Sequence, residues 1–489
     1  MDDASRKKFK KGDELTLSIQ SLSTEGKGIA RTDEGFVVFV ERTIPGDKVT
    51  ARVLKSKKGF AEAKAVNIIE KSGDRIEPRC RHFGICGGCK LQNLSYQKQI
   101  EYKRENVVSA LERIGGFENI HIPPVLGSDN IFYYRNKMEF SFSDDRWEER
   151  LQISDCRFQI EDTPPTPSQG GSERFALGLH VPGFHSKIIE VTECFLQSDV
   201  SADIVNFTRD FFKDKNISIY STKTHSGFLR FLIIRQSGNT KDFMVNLITY
   251  DYDEELIKNY CSELISKFPL ITTFVNSFTQ KKAQVAFGDD SVILKGEGVI
   301  YEKINNGFRD LVFKISPNSF FQTNTMQAEK LYMTASDFGD FNIDDDVLDL
   351  YSGAGSIALF IADNVKSVRG VEIIDEAIQN AIENMNINGI ENCEFVISDI
   401  KEFIEKESLS GYNKIILDPP RSGLHPEICE ILSETNFERI VYVSCNPSTQ
   451  ARDLKIICGK GNYRIEKIQS VDMFPQTYHV ENVVSLISN

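Results

Sequence analysis

One cysteine of this chain stands where a thiol could react. Residues 440–445 read IVYVSC, with Pro447 two residues on. Proline cannot extend a sheet ladder, so this is a core strand that stops at Cys445. A buried cysteine usually serves as a small hydrophobe. At the carboxyl end of a parallel strand, where α/β enzymes bind ligands, it can be a nucleophile. A second run, KIILDPPRSGL (414–424), ends at Asp418 before two prolines and holds a carboxylate on the same side of the sheet. Farther on, VDMFPQTYHVENVVSLI supplies Glu481 just before an apolar strand that could direct it toward Cys445. One reaction needs such a set. Thiolate addition at carbon 6 of a pyrimidine makes carbon 5 electron-rich enough to take a methyl group from a sulfonium. A base must then remove the carbon 5 proton before the thiol can leave.

A cofactor loop precedes these residues. VLDLYSGAGSIAL (347–359) places Asp349 near a strand end, followed by Gly353-Ala354-Gly355. A glycine loop between strand and helix lets the backbone approach a ligand. Glu372, 19 residues after Gly353, closes the next strand at an interval suited to a ribose. A dinucleotide enzyme would want a third glycine where Ala358 stands, and it would leave Cys445 without a task. S-adenosylmethionine has no pyrophosphate to cradle and tolerates the looser loop, which favours methyl transfer.

RCRHFGICGGCK (79–90) sets Cys80, Cys86 and Cys89 on a glycine-rich loop. Three such thiols suit a metal whose fourth ligand comes from elsewhere, and their spacing admits either zinc or an iron–sulfur cluster. Cys261, Cys393, Cys429 and Cys458 fall in helical or strand patterns and read as core.

A chain of 489 residues predicts two or three domains. Strands punctuated by glycine across 11–70 (ELTLSIQSLS, GKGIART, EGFVVFVE, KVTARVLKSKK, FAEAKAVNIIE) suggest a five-stranded antiparallel barrel. Residues 94–116 carry Tyr96, Ile100, Val107, Leu111 and Ile114 at helical spacing, with a stop at Gly115-Gly116. From 120 to 315, strand patterns with one helix at 199–214 predict an α+β domain on an antiparallel sheet, broken by a Pro/Ser/Gly-rich insertion at 159–173. Beyond 317, six short apolar runs alternate with helical stretches, the order of a doubly wound, largely parallel sheet. The net charge of −13 is uneven: residues 1–110 hold 22 Lys+Arg against 15 Asp+Glu, the remainder 36 against 56. A basic arm on an acidic body suits a protein that touches phosphates with one region. No apolar run reaches membrane-spanning length and the first residues are charged, which predicts a cytoplasmic protein without membrane contact.

At SPNSFFQTN (316–324), DLYSGAGSIAL, ILDPPRSGL, VYVSCNPSTQARDL and TYHVENVV, the chain closely resembles the RNA (uracil-5-)-methyltransferase family, over almost its whole length. The 11–70 segment resembles a TRAM domain, an OB-like RNA-binding module. The resemblance implies a class I, Rossmann-like S-adenosylmethionine methyltransferase domain over 317–489. A TRAM barrel (1–70) and a central α+β domain with a metal cluster (71–316) precede it, and helix 94–116 packs on the catalytic domain. By that match Gln322, Tyr351, Glu372 and Asp418 contact S-adenosylmethionine, with Ser356 and Asp399 beside them. Cys445 is the nucleophile and Glu481 the base. Family members with a TRAM domain carry a four-iron, four-sulfur cluster on Cys80, Cys86 and Cys89. The matching fourth ligand is Cys194, ahead of its rival Cys156. The cluster reads as a clamp for the RNA-binding surface. The implied partner is 23S ribosomal RNA, with transfer RNA the alternative, and the enzyme is expected to be a monomer. A non-catalytic RNA-binding relative would have lost Cys445 or Glu481.

Overall fold

The computed structural model describes residues 9–147 and 174–489. The 159–173 insertion and Cys156 lie outside them. The amino-terminal unit has six strands rather than five, because the first run divides into Glu14–Ser18 and Ser21–Leu22. Its one parallel pair joins Val37–Glu41 to Phe60–Glu70. Alternation fills its core from one face of each strand: Leu17, Val38, Val40, Val49, Ala51, Ala61 and Ala63 are all buried.

The central unit carries a seven-stranded sheet. Its strands Lys137–Ser143, Ala176–Val181, Leu229–Gln236, Phe243–Thr249 and Thr273–Phe278 fall in the runs YYRNKMEFSFS, FALGLHVPG, GFLRFLIIRQS, DFMVNLITY and ITTFVNSF, while Phe184–Glu190 starts three residues ahead of the run KIIEVTE. It is not wholly antiparallel: Phe243–Thr249 and Thr273–Phe278 pair in parallel, because helix Glu254–Lys267 carries the chain back across the sheet. An edge strand, Asp290–Lys295, is too polar on its outer face to have stood out in the sequence.

Seven strands form the catalytic sheet: Asp346–Leu350, Ser367–Glu372, Cys393–Ile397, Lys414–Leu417, Arg439–Ser444, Tyr463–Val471 and Glu481–Ser488. Numbered along the chain, they lie in the order 3-2-1-4-5-7-6. The first five are parallel, and the seventh runs antiparallel between the fifth and the sixth. The sixth, YRIEKIQSV, is not among the six expected runs, because its exposed charged residues and a shift in register after Ile465 hide the strand period. One face of the sheet is covered by helices Pro426–Glu434 and Pro447–Ile457 together with Val107, Ala110 and Leu111 from the 96–115 helix. The other is covered by helix Thr325–Gly339 and by the hairpin Ile300–Asn305/Asp310–Ile315, which shares this core. Each side chain fully buried there contributes about 1.5–3 kcal/mol. No helix among the described residues is long and apolar enough to cross a membrane.

The helix Tyr96–Ala110 continues through a π-turn, Leu111–Gly115, and stops at Gly116 in the left-handed conformation, φ +74°. Its buried face is rotated from the apolar stripe. Gln99 and Lys103 are fully buried, while Ile114 is exposed. The physical reason lies 369 residues away: Lys103 Nζ meets Asp472 at 2.5 Å, and both side chains are sealed from water.

Candidate active site

Strand Arg439–Ser444 ends because the next residues start a helix. Asn446 caps it, its side chain accepting from Ser448 N at 3.1 Å, and Pro447 occupies its first turn. Cys445 is left at the tip, half-buried. In the antiparallel register Ser444 opposes Asn482, so Glu481 stands across from Cys445. The buried Gln450 fixes this pairing from the adjoining helix, donating to Tyr442 O (2.9 Å) and Asn482 O (3.1 Å) while Asn482 Nδ2 donates to Gln450 Oε1 (2.7 Å). Neighbouring Asp453 accepts from Tyr442 OH (2.7 Å) and Leu424 N (2.8 Å), and Arg452 donates to Ser422 O and Leu424 O (3.0 Å each). Together they grip the turn after Asp418. The run QARDL thus ties three catalytic strands together, a role its polar residues did not reveal in the sequence.

Cys445, Glu481 and Asp418 share one electrostatic site. Burial, then the Glu481 and Asp418 carboxyls, pushes the Cys445 thiol up to about 11, while Arg421 pulls the other way. Burial and Asp418 push Glu481 up to about 8, again opposed by Arg421. Burial pushes Asp418 up to about 7. Three acids face one guanidinium, so not all of them ionise together. Arg421 is itself pinned, its carbonyl accepting from Asn446 Nδ2 (3.0 Å) and Thr449 Oγ1 (3.3 Å), and its guanidinium lies 3.3 Å from the His479 ring. Burial drops His479 to about 4, so it stays neutral at physiological pH.

The crevice continues toward the glycine loop. Tyr351 (φ +66°) and Gly353 (φ +53°) turn the chain away from the first strand, and a Cβ on Gly355 would stand 2.8 Å from the Phe395 ring. Glu372 accepts from Gly353 N (3.2 Å), Ile373 N (2.8 Å) and Ile374 N (3.0 Å), which fixes its carboxylate over the loop. Asp399 caps helix Ile400–Lys406 and raises the Tyr351 phenol after burial does. Asp349 is buried with Oδ1 unpartnered, and burial, then Asp418 and Glu372, pushes its carboxyl well above the usual carboxylate range. Asp349 thus feels both ends of the crevice. Ser356 lies in hydrogen-bonding reach of the buried Tyr332, whose phenol also senses Asp418, Glu481 and Asp349; an apolar helical context hid Tyr332 in the sequence. Gln322 arrives on the loop before helix Thr325–Gly339. Asn136 Nδ2 donates to its carbonyl at 2.8 Å, and Arg235 donates to Ser319 O at 2.5 Å. Phe320 on that loop is 73% exposed.

Cys80, Cys86, Cys89 and Cys194 line one small cavity between the 80–89 loop and the central sheet. Burial pushes Cys80 and Cys86 up to about 11 and Cys89 to about 12, raises Cys194, and the neighbouring thiols add to the rise in the first three. None is in a disulfide. Among the described residues, no three His, Cys, Asp or Glu side chains close on a single metal ion.

The 3-2-1-4-5-7-6 sheet with an acid-lined crevice at its carboxyl edge is the architecture of an S-adenosylmethionine-dependent methyltransferase. Residues 283–489 match the model of the tRNA (uracil-5-)-methyltransferase family, and residues 8–66 match the TRAM domain. An RNA methyltransferase of Chlorobaculum tepidum is 39% identical over 97% of this chain and 96% of its own. One of Bacteroides thetaiotaomicron is 39% identical over 95% and 99%. The crystal structure of Pyrococcus abyssi tRNA (uracil-54, C5)-methyltransferase in complex with S-adenosyl-L-homocysteine superposes with a TM-score of 0.71 and 28% identity, covering 97% of this chain and 100% of that one. The chain belongs to the RNA (uracil-5-)-methyltransferase family, and it is an S-adenosylmethionine-dependent enzyme acting on RNA.

Proposed function

We propose that the enzyme methylates carbon 5 of a uridine in 23S ribosomal RNA through a covalent bond between Cys445 and carbon 6. The observation that carries this reading is the cross-strand placement of Cys445 and Glu481, with Asp418 and Arg421 beside them. As its thiolate, Cys445 adds to carbon 6, and the ring electrons shift toward carbon 5 and the carbonyl oxygen of carbon 4. S-adenosylmethionine would supply an electrophilic methyl on a sulfonium, and as carbon 5 bonds to that methyl the pair of the broken carbon–sulfur bond would stay on sulfur, leaving the neutral thioether. Glu481 then accepts the carbon 5 proton, the carbon 5–carbon 6 double bond re-forms, and the carbon 6–sulfur pair returns to Cys445. Arg421 is the cation on hand to favour the thiolate. Gln322, Tyr351, Glu372 and Asp418 hold the cofactor, with Ser356 and Asp399 at the rim. A sulfonium in this acid-lined crevice favours the ionised forms of Asp418 and Glu481.

Cys80, Cys86, Cys89 and Cys194 would hold a four-iron, four-sulfur cluster. Four thiols around one cavity are a donor set that such a cluster takes, and the family resemblance is what favours it over zinc. It would clamp the loop and supply no redox step. An anaerobic preparation should be brown; a colourless protein with stoichiometric zinc would reject the assignment.

The whole-length likeness to the Pyrococcus abyssi enzyme favours a second substrate, transfer RNA. Mass mapping of both RNAs from a strain lacking the protein decides. Loss of one 5-methyluridine from 23S ribosomal RNA is expected, and loss from transfer RNA alone would replace the ribosomal reading.

A further inference from the structure

Gln476 is buried five residues before Glu481, in the left-handed conformation at φ +69°. Its polar groups are all engaged. Its N–H donates to Gln99 Oε1 (3.0 Å), and its Oε1 accepts from Gln99 Nε2 (3.0 Å). Its carbonyl accepts from Lys90 N (2.9 Å) and Leu91 N (3.0 Å), the two residues that follow Cys89. Its Nε2 donates to Ile131 O at 3.5 Å. The flanking chain is held as firmly. Lys103 Nζ donates to Phe474 O (3.0 Å), Tyr134 OH donates to Pro475 O (2.9 Å), and Tyr478 packs against Leu22, Ile44, Leu91, Leu94 and Tyr102. The Glu481 carboxylate, by contrast, takes no hydrogen bond from any described side chain, so the path of the backbone decides where it points.

We propose that Gln476 is a positioning residue for Glu481, and that the cysteine loop and the 96–110 helix act on the reaction through it. The inference rests on the reading of Cys445 and Glu481 given above. Addition and methyl transfer are worked by Cys445, and of the 472–480 segment they lean only on His479, which meets Arg421. Elimination needs the whole segment in register. Glu481 must reach one ring proton, and its pair must flow into the carbon 5–carbon 6 bond as the carbon–sulfur bond breaks. A misplacement of about 1 Å can cost on the order of 100-fold in such a step.

Gln476→Gly keeps the backbone conformation and its carbonyl acceptor while removing the side chain; Gln99→Ala removes that contact from the helix side, together with the acceptor for Gln476 N and the donations to Leu91 O and Leu94 O. Rapid-quench single turnover with 5-methyl formation and adduct release followed separately is the test, alongside homocysteine-cofactor binding, KM for RNA and thermal melting. Both variants should transfer the methyl at the wild-type rate and bind cofactor and RNA as before. Both should release RNA about 10- to 100-fold more slowly, with the adduct persisting on a denaturing gel. The double variant should be no worse than Gln99→Ala alone. Wild-type release rates in both variants would overturn the proposal. So would parallel losses in methyl transfer and cofactor binding, which mark a general loosening. A wild-type enzyme that never bonds to RNA would instead remove the underlying covalent reading, and this proposal with it.

Discussion

Two buried carboxylates nine residues apart, Asp472 and Glu481, meet opposite fates. Asp472 is sealed with Lys103 at 2.5 Å and also accepts from Tyr96 OH at 2.9 Å and Phe474 N at 3.1 Å. Glu481 has a second carboxyl for company and one exposed guanidinium to offset it, and it is pushed up to about 8. The satisfied pair builds the frame; the unsatisfied group is poised to trade a proton. Burial alone therefore does not mark a reactive acid. The partner decides.

Substitutions can separate these roles. The largest effect on rate belongs to Cys445→Ala, which should abolish methyl transfer while calorimetric cofactor binding and the melting temperature stay near wild type; residual transfer at a normal rate would remove the nucleophile from the scheme. The largest effect on stability belongs to Lys103→Met, which strands Asp472 and should cost about 3–5 kcal/mol in denaturant unfolding. Lys103→Met with Asp472→Leu should regain most of that loss, and a pair that stays just as unstable would contradict the account of Asp472. Glu481 should behave in the opposite way. Between about 4.5 and about 8 the folded protein keeps a proton on Glu481 that the unfolded chain releases, so stability falls as pH rises through that window. Glu481→Gln should flatten that fall, by a few kcal/mol at pH 8, while trapping a covalent RNA adduct. In the wild type, turnover should climb with pH toward about 8 as the carboxylate forms. The smallest effect is expected of Glu372→Gln, whose single amide oxygen can keep the Ile373 and Ile374 contacts but not the Gly353 one, and which should weaken cofactor binding on the order of tenfold by titration.

Much of this was legible in the sequence for physical reasons. Strand ends that coincide with prolines announced Cys445 and Asp418, and the change from alternating to continuous apolar runs announced the parallel sheet. What escaped notice depended on partners far along the chain. Lys103 and Gln99 look like solvent-facing helix residues until Asp472 and Gln476 meet them, and Gln450 looks like an ordinary polar helix residue until Asn482 arrives. The sixth strand, with Glu466 and Lys467 both exposed where the register shifts, breaks the period that would have betrayed it. Arg421, although inside a recognised run, had no visible task until the thiol and both carboxyls were placed around it.

The strand that begins at Glu481 enters the sheet between two neighbours laid down earlier along the chain. A partly folded molecule with that strand still outside would already display a complete nucleophile and cofactor loop. Under the proposed covalent chemistry, such a species would bond to RNA with no base to release it, a dead-end conjugate rather than an idle protein.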